Sequence, residues 1–232
     1  MSSFVTRQCT RADCRLRFPV AADSTLGDLC PHCGAATEID VRYDSLDARV
    51  PATAAAARAA GPAVAALLDN VRSLPNVGSM FRTADGAGVS HMHLAGFTPT
   101  PAHPKLAKTA LGAEATVPWT LHRDGAAAAA WLRDAGHRLW ALEGGPEARD
   151  FFDILPMALS ERTGSPIVLV LGHEVSGVDP KILACCERVL RLPMLGLKGS
   201  LNVSVAFGIA VYALRFAGRG GEASRGEASQ GG

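Results

Sequence analysis

The segment RLPMLGLKGSLNVSVAFGIAVYALR, residues 191–215, joins a glycine-punctuated polar loop to an apolar helix. Asn202 and Ser204 stand where a helix would begin. Apolar residues then recur at helical spacing: Val203, Ala206, Phe207, Ala210, Val211 and Leu214. A loop that leads into a helix N-terminus offers unpaired backbone N–H groups to a ligand. The segment therefore predicts a binding loop, residues 196–202, fixed at one end by a buried helix.

Two further segments contain loops of a similar kind. Residues 166–180, PIVLVLGHEVSGVDP, predict a buried strand followed by a glycine loop that holds Glu174. Residues 67–89, LLDNVRSLPNVGSMFRTADGAGV, predict a strand, a turn at Pro75 and a helix that bears Arg82. Asn76 precedes that helix and is suited to be its N-cap.

These three segments resemble the three sequence motifs of the SpoU/TrmH branch of the SPOUT methyltransferases. The resemblance spans residues 67–215 in the family's order and includes the segment KTALGAEATVPW, residues 108–119. The matching residues are Asn76, Gly78, Arg82 and Ala84 in the first motif, Gly172, Glu174 and Gly177 in the second, and Pro193, Met194, Gly196, Ser200, Leu201, Asn202 and Ser204 in the third. Three such loops in order, with their polar residues, are far more specific than any one of them.

The resemblance implies an activity. Enzymes of this branch transfer a methyl group from S-adenosylmethionine to a ribose 2′-hydroxyl of RNA, and they act as homodimers. The expected protein is therefore an S-adenosylmethionine-dependent RNA 2′-O-methyltransferase that acts on tRNA or rRNA as a homodimer. Two alternatives stay open: a noncatalytic zinc-ribbon RNA-binding or adaptor protein on a dimeric scaffold, and a SPOUT enzyme that methylates a base nitrogen.

The fold expectation has two sources. Apolar strand-like runs alternate with helical stretches after residue 63, which predicts an α/β parallel sheet with helices on both faces. The predicted strands are residues 64–68, 92–95, 116–121, 138–142, 167–171 and 189–192, and the predicted helices are residues 77–86, 104–111, 125–135, 180–187 and 203–216. The resemblance adds a C-terminal trefoil knot, a rare exception to the rule against threaded chains.

The resemblance also implies roles for individual residues. The implied catalytic residues are Arg82, Asn76, Glu174, Ser200 and Asn202. The implied cofactor-binding residues are Leu171, Gly172, Glu174, Gly177, Leu192, Met194, Gly196, Ser200, Leu201 and Asn202. A guanidinium stays protonated at any ordinary pH, so Arg82 is suited to stabilise the developing alkoxide rather than to accept a proton. The structural alternative is that Arg82 pairs with Glu174 and fixes the loops.

Four of the six cysteines lie before residue 34, as two pairs: Cys9 with Cys14, and Cys30 with Cys33. Two such pairs, separated by a gap of about fifteen residues, are typical of a ribbon-type tetrahedral zinc site. Disulfides are the alternative, but a chain without a secretion signal is expected to stay reduced. His32 lies inside the second pair and could replace one sulfur. We expect a structural Zn²⁺ ion at the four cysteines.

Composition limits the remaining classes. The 232 residues, 48% of them hydrophobic, suffice for one full domain and a small module. No apolar run approaches the roughly 20 residues needed to cross a bilayer, and the N-terminus lacks a hydrophobic signal core, so a cytoplasmic protein without membrane contact is expected. The net charge of +1 is low for a nucleic-acid binder. Contacts to RNA backbone, or else a plain solvated face, are expected at Arg7, Arg11, Arg15 and Arg17.

The predicted boundaries follow shifts in composition. Residues 1–40 are assigned to the zinc ribbon, residues 41–62 to a linker or short helix, residues 63–217 to the methyltransferase domain and residues 218–232 to a disordered tail. The family motifs do not require the ribbon. Its role in RNA recognition, in packing or in partner binding stays open.

Overall fold

The computed structural model describes residues 3–43, 62–160 and 164–216. The chain divides into two compact units, residues 1–54 and residues 55–232. Most of the predicted linker and all of the predicted tail lie outside the described residues. No helix in the described ranges combines the length and hydropathy that a membrane span requires.

The first unit is a three-stranded antiparallel sheet. It comprises β1 (Phe4–Cys9), β2 (Arg17–Ala21) and β3 (Thr37–Arg42), in the order β2-β1-β3. A single 3-10 turn, Thr25–Gly27, begins at Ser24, whose hydroxyl accepts a hydrogen bond from the Leu26 N–H. Cys9 is the last residue of β1 and Cys14 follows it, whereas Cys30 and Cys33 precede β3. Because β1 and β3 are antiparallel, the sheet brings the two pairs of cysteines to the same end.

The second unit contains a seven-stranded sheet in which every pairing is parallel. Its strands are β4 (Val64–Asp69), β5 (Met92–Ala95), β6 (Trp119–His122), β7 (Arg138–Leu142), β8 (Arg149–Asp150), β9 (Ile167–Leu171) and β10 (Arg188–Arg191). Their order is β6-β5-β4-β9-β7-β10-β8. All residues of β4 and β9 are buried, as expected for central strands of a parallel sheet that is covered on both faces.

Helices cover both faces of this sheet. They are α1 (Leu74–Ala87), α2 (Ala107–Ala110), α3 (Ala113–Thr116), α4 (Gly125–Asp134), α5 (Phe151–Ser160), α6 (Pro180–Leu183) and α7 (Val203–Phe216). Neighbouring residues of a strand point to opposite faces, so Leu68 packs into the core formed with α1, α5 and α7, whereas Leu67 packs into the core formed with α4 and α6. The predicted α/β fold with a parallel sheet is confirmed.

The first turn of α1 differs from the expectation. Ser73, not Asn76, is the N-cap, and its hydroxyl accepts a hydrogen bond from the Asn76 N–H at 3.4 Å. Asn76 therefore lies inside the helix, where its side-chain amide can make other contacts. The helix ends at Gly88, whose φ of 67° is the left-handed conformation common after helices.

Two other predicted helices were wrong in detail, and one helix was not predicted. The predicted helix 104–111 is replaced by two short turns, α2 and α3, because Leu111 and Gly112 adopt left-handed conformations. The predicted helix 180–187 ends at Leu183. Helix α5 was not predicted; Pro156 stands inside it, where proline is disfavoured. Its buried residues Phe151 and Ile154 pack into the core.

Candidate active site

A chain of hydrogen bonds connects the three motif segments. The carboxylate of Glu174, in the loop after β9, accepts hydrogen bonds from the backbone N–H groups of Arg72 and Ser73 at 3.2 and 3.0 Å. It also accepts one from the side-chain amide of Asn76 at 3.3 Å. The amide oxygen of Asn76 in turn accepts a hydrogen bond from Nδ2 of Asn202 at 3.0 Å. Each motif thus contributes one side chain to a single polar cluster, Glu174–Asn76–Asn202.

The start of α7 fixes the orientation of Asn202. Its Oδ1 accepts hydrogen bonds from the backbone N–H and the hydroxyl of Ser204, at 2.9 and 2.6 Å. Because the oxygen is used in this way, the amide nitrogen must point toward Asn76. The polar residues expected at this helix start therefore hold the third motif against the first.

Hydrogen bonding keeps Glu174 ionised. Partial burial opposes its charge, but hydrogen bonds from its own backbone N–H, from Ser73 and Arg72, and from the Asn76 amide outweigh that effect. The pKa of Glu174 is therefore lowered from its ordinary value. The resulting negative charge lies at the N-terminus of α1, where the helix dipole favours an anion.

A cavity of about 380 Å³ lies beside the polar cluster. The ends of β7, β9 and β10, the loops after them and the first turn of α7 line it. Nine of the ten residues predicted to bind a cofactor are among the lining residues: Leu171, Gly172, Glu174, Gly177, Leu192, Met194, Ser200, Leu201 and Asn202. The structure thus gathers around one cavity residues that the sequence places in two distant loops.

The glycines of the second motif are required by close backbone contact. A Cβ atom on Gly172 would lie 2.2 Å from the carbonyl carbon of Gly177. Gly177 has a φ of 75°, and a Cβ there would lie 2.4 Å from Oε2 of Glu143. His173 and Gly177 exchange two backbone hydrogen bonds, at 3.1 and 2.9 Å, which close this loop into a tight hairpin. Any larger residue would displace one wall of the cavity.

Three predicted site residues do not line the cavity: Asn76, which contacts the lining residues Glu174 and Asn202, Gly196 and Arg82. Gly196 does not line it, and its neighbours Leu195 and Leu197 are fully exposed. Arg82 is exposed on α1 and does not line it either. Across the described residues, Arg82 makes no hydrogen bond or ion pair, and backbone N–H groups and Asn76 contact the Glu174 carboxylate of its own chain.

The sequence did not point to Glu143, which also lines the cavity. Its Oε2 accepts a hydrogen bond from the Val178 N–H at 2.8 Å, and its Oε1 accepts one from the Gly144 N–H at 3.0 Å. It follows β7, a strand that lies between β9 and β10 in the sheet. Only that strand order brings Glu143 to the second motif. In the sequence, the pair of glycines after Glu143 was the one sign that this residue lies in a loop of the site.

The four cysteines of the first unit converge. All four sulfur atoms lie within 4.8 Å of one another, with Cys9 and Cys33 at 3.5 Å and Cys14 and Cys30 at 3.7 Å. A tetrahedral site with Zn–S bonds of about 2.3 Å places its sulfurs about 3.8 Å apart, whereas a disulfide needs about 2.05 Å. The donor set and its spacing therefore fit a zinc ion, and His32 is not part of the cluster.

Three of the four N-terminal arginines are paired with carboxylates of their own unit. Arg7 contacts Asp28 at 3.1 Å and Arg11 contacts Asp13 at 2.8 Å. Arg17 likewise pairs with Asp40. Because each of these three positive charges has a nearby negative one, the three arginines are less suited to phosphate contacts than the sequence suggested.

The comparisons with known proteins identify the family of this chain. Residues 63–212 match the model of the SpoU rRNA Methylase family. The chain belongs to this SpoU family. It is 31% identical over 151 residues to a tRNA (guanosine(18)-2′-O)-methyltransferase of Thermus thermophilus. The matched region covers 65% of this chain and 73% of that protein.

Two further SpoU-type relatives extend the comparison. The 23S rRNA (guanosine-2′-O-)-methyltransferase RlmB of Pseudomonas syringae pv. tomato is 31% identical over 155 residues, 67% of this chain and 59% of that protein. A solved structure of an AdoMet-bound rRNA methyltransferase from Sinorhizobium meliloti is 25% identical with a TM-score of 0.59, covering 78% of this chain and 64% of that one. The match thus spans 73% of the length of the Thermus relative and 59% of the length of the Pseudomonas relative.

Proposed function

We propose that this protein is an S-adenosylmethionine-dependent methyltransferase that modifies a ribose 2′-hydroxyl of tRNA or rRNA. The observation that carries the proposal is the Glu174–Asn76–Asn202 cluster at the rim of the cavity. A noncatalytic scaffold would need neither this cluster nor the open space beside it. The names of the relatives, guanosine 2′-O-methyltransferases of tRNA and of 23S rRNA, support both the reaction and the class of acceptor.

The cavity has the properties that S-adenosylmethionine requires. Leu171, Leu192 and Met194 offer apolar walls for an adenine ring, and the glycine hairpin lets backbone approach the ligand. The carboxylates of Glu143 and Glu174 suit a cationic donor. When bound, S-adenosylmethionine supplies a methyl group on a positively charged sulfur. The relative from Sinorhizobium meliloti is described as AdoMet-bound, which supports this choice.

The residues of the cluster would orient the acceptor. Asn76 and Asn202 hold each other in one amide orientation, and the depression next to them, bordered by Arg72, Ser73, Asn76 and Glu174, is open to solvent. A ribose placed there would meet fixed donors and acceptors instead of mobile water, which lowers the entropic cost of alignment. We assign positioning of the ribose to Asn76 and Asn202, and contacts to the donor or the ribose to Ser200.

We assign stabilisation of the developing alkoxide to Arg82, acting in the cavity of a second copy in a homodimer. Its exposure on α1, outside its own cavity, supports this assignment. The apolar side chains of Val205, Ile209 and Tyr212 recur along one face of α7 and are 49%, 37% and 46% exposed. Such a stripe is typical of a helix that packs against another copy.

Mixed dimers test the Arg82 assignment. Arg82→Ala removes the guanidinium, whereas Met194→Arg places a positive charge in a cavity meant for a cationic donor. We expect each homodimer to be inactive. A mixed dimer should regain activity, because the Met194→Arg protomer lends its Arg82 to the intact cavity of the other. Inactive mixed dimers would place Arg82 in its own protomer's site.

Three structural proposals complete the assignment. We infer that Cys9, Cys14, Cys30 and Cys33 hold a structural Zn²⁺ ion. We assign residues 1–40 to the ribbon, residues 41–62 to the linker, residues 63–217 to the catalytic domain and residues 218–232 to the tail. We also infer that the C-terminal part forms the family's trefoil knot. The knot is supported by the position of β9 and β10 on opposite sides of β7, which precedes both. We also propose a cytoplasmic location, since the proposed RNA substrates occur there.

Product analysis tests the proposed function. Native protein, labelled S-adenosylmethionine and unmodified tRNA or rRNA should yield labelled RNA whose nuclease digest contains 2′-O-methyl nucleosides. Label on a base nitrogen would instead support a different SPOUT activity. Asn76→Ala should lose most transfer while calorimetry still detects donor binding. Absence of donor binding by the native protein would restore the scaffold alternative.

A further inference from the structure

Phe97 is 82% exposed and lies two positions after Ala95, the last residue of β5. It is the first residue of the segment FTPTPAHPKLAK, residues 97–108, whose last two residues are the first two of α2. An exposed phenylalanine adds little to the stability of a fold, because its ring is not removed from water. A rigidly held exposed ring is therefore a candidate contact for a ligand.

The backbone at Phe97 is held firmly. Oδ1 of Asn70 accepts a hydrogen bond from the Phe97 N–H at 3.1 Å. Thr98 is buried; its hydroxyl lies 3.0 Å from the carbonyl of Leu68 and accepts a hydrogen bond from the Val71 N–H at 3.2 Å. The hydrogen bonds of Phe97 and Thr98 thus connect the segment to the turn that joins β4 to α1. The ring is thus presented by a fixed backbone, next to the turn whose N–H groups bind Glu174.

The far end of the segment is anchored on the same helix. Leu106 is fully buried in the core beneath α1. Thr109 packs so closely on Gly78 that a Cβ atom there would lie 1.9 Å from its hydroxyl oxygen. Segment 97–108 therefore runs along the beginning of α1, the helix that carries Asn76 of the polar cluster.

The charge of this segment is positive. No Asp or Glu occurs between Gly96 and Glu114, whereas Lys105 and Lys108 are exposed. Neither lysine forms an ion pair within the described ranges. A depression of about 480 Å³ that Phe97 also borders is lined by three carboxylates, those of Asp69, Asp124 and Asp179, and by the guanidinium of Arg123, so negative charge outweighs positive charge there and disfavours a phosphate. A nucleic-acid strand would therefore place its phosphates toward the lysines.

The segment also lies within reach of the acceptor site. β5 pairs with β4, and β4 pairs with β9, the strand that leads to Glu174. Parallel strands are about 4.8 Å apart, so the ends of β5 and β9 are on the order of 10 Å apart at the same edge of the sheet. A nucleotide next to the methylated one can span such a distance.

From these observations we propose that segment 97–108 binds the RNA substrate beside its target nucleotide, with a nucleobase stacked on Phe97 and phosphates contacting Lys105 and Lys108. Stacking on an aromatic ring does not require a particular base, because every base has a π-face. The segment thus holds the strand, while the Glu174–Asn76–Asn202 cluster selects the ribose. This inference rests on the proposed function and names how its substrate is held.

RNA binding by the full chain tests the inference, with a pool of unmodified tRNA transcripts and a pool of 23S rRNA fragments as probes. Phe97→Ala should weaken binding about tenfold, since a stacked base is worth about 1–3 kcal/mol. Phe97→Trp should bind within about twofold of native protein, and Phe97→Leu should bind as weakly as Phe97→Ala. The matched control is Phe152→Ala, which removes another exposed phenylalanine, on α5.

The salt dependence separates stacking from charge. Lys105→Gln combined with Lys108→Gln should reduce the slope of log Kd against log salt by about 1.5, because each phosphate contact releases counterions. Phe97→Ala should leave that slope unchanged. The control is Lys181→Gln on α6, in the opposite helical layer. Equal binding by Phe97→Ala and native protein, full recovery in Phe97→Leu, or no binding of either pool by native protein would overturn the inference.

Donor binding and methyl transfer distinguish this inference from the proposed function. Phe97→Ala should bind S-adenosylmethionine as native protein does, because Phe97 does not line the cavity. If native protein and Phe97→Ala both transfer methyl groups with the same KM for RNA, the inference is refuted and the proposed function stands. Native protein that binds RNA through Phe97 but transfers no methyl group would refute the proposed function alone.

Discussion

Asn202 donates a hydrogen bond from Nδ2 to Oδ1 of Asn76 at 3.0 Å, across 126 residues of sequence. Asn76 uses its own Nδ2 for Glu174, so a single amide connects the second and third motifs. A rotated Asn76 amide would set two N–H groups against each other and an oxygen against a carboxylate. The three side chains therefore fix one another's orientation.

A double-mutant cycle measures this relationship. Asn76→Ala and Asn202→Ala each remove one partner, and we expect a coupling free energy of about 1 kcal/mol in urea unfolding, the usual net value of a hydrogen bond. Methyl transfer should fall at least about tenfold in each single variant. Ser79→Ala, exposed on the same helix, should change neither quantity. A coupling near zero would mean that the two amides do not support each other.

The ionised state of Glu174 should give stability a pH dependence. Its folded-state pKa is lower than in the unfolded chain, so its contribution is fully present above the unfolded value of about 4.5 and is lost as the pH falls through the folded value. Urea midpoints of native protein and Glu174→Gln should differ at neutral pH and approach each other as the pH falls below about 4.5. A gap that widens toward acid pH would contradict the assignment.

Two glycine substitutions should differ sharply. Gly172→Ala places a methyl group against the backbone of Gly177 and should lower the free energy of unfolding by about 1–3 kcal/mol. It should also weaken S-adenosylmethionine binding, because that backbone lines the cavity. Gly196→Ala meets no atom within 4 Å and should change stability by less than about 0.5 kcal/mol. Equal loss of donor binding in both would show that the loop around Gly196 closes over the ligand.

Removal of Glu143 should loosen the second-motif loop. Glu143→Ala leaves the N–H of Val178 without its acceptor, and we expect about tenfold weaker donor binding, measured by calorimetry. Glu143→Gln keeps one acceptor oxygen and should lie between native protein and Glu143→Ala. Glu147→Ala, an exposed neighbour that does not line the cavity, serves as the control. Native affinity in Glu143→Ala would reduce this residue to a bystander.

Zinc should be required for the first unit but not for the second. Among residues 3–43 of the first unit, only five are buried, Val5, Thr6, Cys9, Gly27 and Cys30, so metal binding would supply much of its folding free energy. Native mass spectrometry should find one zinc ion per chain. Chelation or Cys30→Ser should abolish amide protection in residues 3–43 and leave donor binding intact. Full protection without metal would argue against the proposal.

Local patterns allowed much of the fold to be predicted. The continuous apolar runs of β4 and β9 required burial on both faces, and the paired cysteines required a common centre. Prediction failed where local preference and packing disagree. Pro156 lies inside α5, where proline is disfavoured, but core contacts of Phe151 stabilise that helix, and left-handed Leu111 ends a helix that the local sequence favoured.

The amino-acid sequence by itself determined the family, the identities of the polar residues in its three motifs and the cysteine set, because these depend on residue type and spacing along the chain. Only the tertiary structure decided which of them meet. It placed Asn202 on Asn76, brought Glu143 to the second-motif loop and left Arg82 outside its own cavity. The reason is that the order of strands in the sheet differs from their order in the chain, so contacts between distant loops arise only when the strands assemble.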